Sequence, residues 1–136
     1  MDRRFPPDDP REWLARARLN LTLARQTALV GSRREELAFN AQQAAEKAIK
    51  AVFLSLGVNF PYTHNIRELL DLLERKSGPV PDAVRMAERL TQYVTAGRYP
   101  GDLEPVTAVE HDEAVHLAEA VLAWAEELAL SDKRKK

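Results

Sequence analysis

The chain has 136 residues, enough for one domain that buries its own core, and no cysteine, which excludes a disulfide framework, a thiolate nucleophile and every cysteine-ligated metal. Twenty basic residues face 21 acidic ones, so the overall field gives no sign of a dedicated nucleic-acid binder. No stretch has the apolar length of a signal-peptide core or a membrane span, and the absence of cysteine fits a cytoplasmic setting.

Asp9-Pro10-Arg11-Glu12 offers an N-cap, a proline at the first helical position and a glutamate placed for a capping box. Leu14, Ala17, Leu21, Ala24 and Ala28 follow at helical spacing, which predicts a first helix from about Pro10 to Val30, ended by Gly31. Ser32-Arg33-Arg34-Glu35 then reads as a second capping box, opening a helix to Leu56 with Gly57 as its stop. So short a link forces the two helices into an antiparallel hairpin.

The second helix has two unlike faces. Ala41, Ala44, Ala45, Ala48 and Ala51 let neighbouring backbones approach closely, while Gln43, Glu46, Lys47 and Lys50 share an arc of about 100° on the other side. Glu46 and Lys50, four apart, suit a surface ion pair, but Phe39 and Phe53 lie in register with them. Two phenylalanines on that arc predict a cover, either a neighbouring helix, a second subunit or a ligand.

After an extended segment at Val58–Tyr62, Ile66, Leu69, Leu70 and Leu73 mark a shorter helix from about His64 to Lys76, broken by Ser77-Gly78-Pro79. Ala83, Met86, Ala87, Leu90, Tyr93 and Val94 predict a further helix of roughly four turns. Thr107-Ala108-Val109-Glu110 is a third capping box, and Val115, Ala118, Val121, Leu122, Ala125 and Leu128 carry a last long helix to near Ala129. The expected fold is all-α, one domain over residues 1–136: an antiparallel up-and-down bundle of four main helices plus a short extra one, with 131–136 as a flexible basic tail.

No glycine-rich phosphate loop, nucleophile elbow or His-Glu-x-x-His pair is present. His111 and His116 lie about 140° apart around a helix, so they share no face for a metal. The carboxylates Glu110, Asp112 and Glu113 suit the start of the last helix through its dipole. No cofactor and no catalytic residue is expected from these patterns.

The run Phe39-Asn40-Ala41-Gln42-Gln43-Ala44-Ala45-Glu46-Lys47-Ala48-Ile49-Lys50-Ala51 resembles the long second helix of HEPN domains. Trp13-Leu14, Thr63-His64-Asn65 and Arg98-Tyr99-Pro100 resemble further landmarks of that family in the same order, so the likeness spans nearly the whole chain. The resemblance implies a four-helix bundle, often a homodimer, that works beside a minimal nucleotidyltransferase and binds a nucleotide or substrate. It points to Gln43, Lys47, Lys50, His64, Arg98 and Tyr99 as ligand-binding candidates, with Phe39, Phe53 and Tyr93 as interface candidates. Structural roles compete at each position: His64 opens a helix, Tyr93 and Tyr99 suit a core, and Arg98 can hold a loop.

A protein-interaction module of a toxin–antitoxin pair, without small ligand, is the alternative. Some HEPN proteins are ribonucleases that carry an arginine with a histidine a few residues downstream. This chain departs from that pattern, since Leu103, Glu104 and Pro105 stand where the histidine would follow Arg98, so a ribonuclease toxin built on an arginine and a histidine that meet only in space is the lesser alternative.

Overall fold

The computed structural model describes residues 4–26, 34–96 and 106–134, with side chains over 4–26, 34–94 and 106–130. The expected end of the first helix at Val30, the box at Ser32, the Arg98-Tyr99-Pro100 landmark and the basic tail at Lys133–Lys136 lie outside the described residues or side chains. Every regular element among the described residues is a helix, and none is a strand.

Helix α1, Pro10–Ala24, begins where Asp9 accepts from the amide of Arg11 at 2.8 Å. A simple N-cap on the Arg11 amide takes the place of the expected capping box. The amide of Asp9 donates to Pro6 O, and the Glu12 carboxylate accepts instead from the amide of Phe5 and from Arg16, tying the incoming chain to the first turn. Leu14, Ala17, Leu21 and Ala24 form its buried stripe.

Helix α2, Arg34–Ser55, is the centre of the molecule, and its five-alanine face is wholly buried. Asn20 meets Asn40 and Lys47 while Lys50 lies near Trp13, so α1 and α2 run antiparallel. Gly57, at φ 72°, ends the helix: Val58 N–H donates back to Phe53 O and Gly57 N–H to Leu54 O, the paired bonds of a Schellman turn.

Helix α3, Ile66–Ser77, is capped by the Asn65 side chain, which accepts from the amide of Glu68, and buries Ile66, Leu69, Leu70 and Leu73 as their spacing predicts. Beyond Gly78 the single four-turn helix expected from the sequence is replaced by three short pieces: α4 (Asp82–Arg85), a 3₁₀ segment (Met86–Gln92) and α5 (Tyr93–Ala96). The buried residues Val84, Ala87, Leu90 and Tyr93 recur every third position, and a winding of three residues per turn keeps such a series on one face. Ala83 and Met86, expected inside, are exposed.

Helix α6, Ala108–Arg134, opens with the expected reciprocal box, Glu110 N–H to Thr107 Oγ1 and Thr107 N–H to Glu110 Oε1. It outruns the predicted end at Ala129 and leaves Leu128 43% exposed. Arg25 pairs with Glu119 and Arg18 with Glu126, so α6 also runs antiparallel to α1. No helix among the described residues is long and apolar enough to cross a membrane.

Candidate functional site

Helix α2 is packed from nearly every side, and what remains open is a narrow stripe through Glu36, Phe39, Asn40, Gln43, Lys47 and Leu54. The polar residues beside this stripe are sorted by the way the segment between Val58 and His64 folds over the helix. Phe60 sits edge-on to Trp13 at 5.4 Å and to Phe53 at 6.3 Å, and these rings form a lid over the C-terminal half of α2.

Lys50 lies under that lid. Its ammonium is 5.2 Å from the Phe60 ring centroid and 6.0 Å from that of Trp13, and it donates to Glu46 Oε2 at 2.7 Å. Glu46 is 3% exposed and Lys50 6%, so the pair expected on a helix surface is a buried one. Gln42, fully buried and absent from the sequence-based candidates, donates to Glu46 Oε1 at 2.9 Å and to the carbonyl of His64 at 3.2 Å. Burial pushes the Glu46 carboxyl upward, but the hydrogen bonds from Lys50 and Gln42, the Lys50 charge and the contact with His64 outweigh it and hold the group below its ordinary value.

His64 completes the cluster from outside. Its Nδ1 lies 3.1 Å from both Glu46 oxygens, while 52% of its side chain remains exposed beside the ring of Tyr62, itself 98% exposed. The hydroxyl of Thr63 accepts from the amide of Asn65 and donates to Glu68, which fixes the short approach to α3.

One turn along the stripe, Lys47 donates to Asn20 Oδ1 at 2.8 Å, and Asn20 donates in turn to Asn40. Lys47 makes no ion pair among the described residues. Half-burial, then the nearby charge of Arg16, and then that of Lys50, lower its tendency to hold a proton, against the opposing pull of Glu46. Gln43 is half-buried and donates to Gln42 Oε1.

The structure therefore separates the candidate residues. Gln43, Lys47 and His64 reach the surface on one side of α2, while Lys50 is directed inward and committed to Glu46. Phe53 is fully buried and Tyr93 4% exposed, so both rings belong to the core of their own chain and only Phe39 of the three interface candidates is partly open. Phe53 is covered because Phe60 and Trp13 close over it, and Tyr93 because it falls on the three-residue repeat of the 3₁₀ segment. Arg98 and Tyr99 lie outside the described residues. No group of three or more histidine and carboxylate side chains gathers to hold a metal among the described residues.

The HEPN domain profile matches residues 10–128. Among solved structures, the chain is similar to TT1696 from Thermus thermophilus, at 35% identity and a TM-score of 0.74, over 88% of this chain and 97% of that one. It is also similar to ST0689, described as an archaeal HEPN homologue, at 26% identity and a TM-score of 0.68, over 89% and 98% of the two chains. No curated protein sequence matches.

Proposed function

The chain belongs to the HEPN domain family, and from that premise we propose that it is a nucleotide- or substrate-binding helical subunit that acts with a separate minimal nucleotidyltransferase. The observation that carries this reading is Lys47: a half-buried ammonium whose hydrogen-bond partner is the neutral carboxamide of Asn20, next to the further positive charge of Arg16. A cation in that setting gains from an anion that supplies the missing counter-charge, and a phosphate oxygen does so. Gln43 on the same stripe and His64, on the loop against Glu46, supply hydrogen-bonding groups for the rest of such a ligand. The Glu46–Lys50 pair holds the lid and the helix beneath them. Arg98 and Tyr99 remain candidates in this proposal by resemblance alone.

The test is the thermal midpoint of the wild type, Lys47→Met and the surface control Lys76→Met with a panel of nucleoside mono-, di- and triphosphates. At a concentration one hundred times its Kd a ligand stabilises by about 2.7 kcal/mol, a rise on the order of 10 °C for a domain of this size. A nucleotide-dependent rise in the wild type and Lys76→Met that vanishes in Lys47→Met supports the reading. No rise with any nucleotide, together with stable capture of a nucleotidyltransferase in nucleotide-free buffer, moves the assignment to a protein-interaction module.

A further inference from the structure

The three histidines of the chain are held in three different ways. His111, 2% exposed, places Nε2 at 2.6 Å from the carbonyl of Ala24, an oxygen that can only accept, so Nε2 carries the proton. His116, on the surface of α6, places Nδ1 at 2.9 Å from the carbonyl of Asp112, which puts the proton on Nδ1. His64 places Nδ1 against the Glu46 carboxylate, again an acceptor, so its neutral ring carries the proton on Nδ1 and its lone pair on Nε2. Nε2 of His64 has no hydrogen-bond partner among the described residues, and the ring is half-exposed.

We propose that His64 is a proton-accepting centre for a hydroxyl-bearing ligand, with Glu46 as its positioning residue. In the step the ligand hydroxyl donates to the Nε2 lone pair, and its proton passes to Nε2 as the oxygen forms a bond to the acyl or phosphoryl centre of a second reactant, whose leaving group departs with its bonding electrons. The imidazolium so formed faces a carboxylate held in place from below by Gln42 and Lys50, which fixes the ring before any ligand arrives and offsets part of the new charge. The groups that touch it are Glu46 and Gln42 on α2 and Tyr62 on its own loop. The proposal stands on this geometry and deepens the proposed site, to which His64 belongs, but its test needs no nucleotide.

Two measurements on the full chain test it. Long-range ¹H–¹⁵N spectra of the imidazoles read the tautomers: His64 and His116 show protonated Nδ1 and bare Nε2, and His111 the reverse. Hydrolysis of p-nitrophenyl acetate reads the availability of Nε2, which attacks the ester carbonyl and expels p-nitrophenolate; water then cleaves the acyl-imidazole to acetate. The wild type is expected to exceed the same concentration of free imidazole by about tenfold or more, within the range that positioned acid–base groups reach. His64→Ala loses that excess, His116→Ala retains it, and Glu46→Gln reduces it while the His64 tautomer preference weakens. A protonated Nε2 on His64, or a rate equal to free imidazole, overturns the proposal, as does a folded Glu46→Gln chain with unchanged rate and spectrum. If Glu46→Gln does not fold, the wild-type tautomer and the His64→Ala against His116→Ala comparison decide the matter.

Discussion

His111, in the first turn of α6, donates from Nε2 to the carbonyl of Ala24 in the last turn of α1 at 2.6 Å. The bond fills one of the orphan acceptors that every helix leaves at its C-terminal end, and it joins elements 87 residues apart in the chain. His111→Ala leaves that carbonyl buried and opens a void where the ring stood. A loss of about 2–4 kcal/mol is expected in urea unfolding, with His116→Ala near zero; a loss below about 1 kcal/mol for His111→Ala would mark the contact as incidental.

The buried Glu46–Lys50 pair should behave unlike the exposed pairs of Arg11, Arg18 and Arg25. Lys50→Met strands a buried carboxylate and Glu46→Leu a buried ammonium, each at about 3–5 kcal/mol. The double variant removes both charges and is expected to be far less damaged than the sum of the two. A double-mutant cycle checks this, and simple additivity would show that the charges do not depend on each other.

Acid should unfold the protein through groups that the fold keeps ionised. Glu46 is held low as described, Glu12 by its hydrogen bonds from Arg16 and the amide of Phe5, and Asp71 by its bond from Arg85. For each, the native value lies below the unfolded one, so the contribution is complete above the ordinary value (4.5 for Glu, 3.8 for Asp) and is lost as pH falls through the native value. Urea midpoints should therefore fall steadily between about pH 5 and pH 3, and less steeply in a Glu46→Leu/Lys50→Met chain. A flat profile in that window would contradict the assignment.

Gly57 ends α2 at φ 72° with nothing within 4 Å of where a β-carbon would stand. Space is not the obstacle to substitution there; backbone conformation is. Gly57→Ala is expected to cost about 1 kcal/mol, with a smaller loss for Gly57→Asn, which tolerates the left-handed region better. Equal losses for both would point to the packing of the turn instead.

The long helices were readable because caps and apolar spacing agree within them: Asp9 and Thr107 cap where the sequence places capping residues, and Leu14, Ala17 and Leu21 are buried together. The region from Asp82 to Ala96 misled because Ala83 and Met86 are apolar by type and yet face outward, while the three-residue series Val84, Ala87, Leu90, Tyr93 was present but competed with the commoner helical period. The polar site was half legible. Its covered arc could be inferred from Phe39 and Phe53, but the cover is an extended segment whose Phe60 has no period to betray it. Glu46 and His64 are 18 positions apart on different elements, a spacing no local motif describes, and Gln42 looked like one more polar residue on a helix.

The enclosure of α2 has a kinetic side. A helix wrapped by α1, α3, α6 and the aromatic lid can expose its central amides only if several neighbours detach first. In deuterated solvent, the amides around Ala44, Ala45, Ala48 and Ile49 should thus be the last to exchange, with an opening free energy that approaches that of global unfolding. The single turn of α4 and the 3₁₀ segment, each anchored along one edge, should release their protons far earlier. Fluctuations of the domain would then spread inward from its rim, with α2 as the persistent frame against which the other helices open and close.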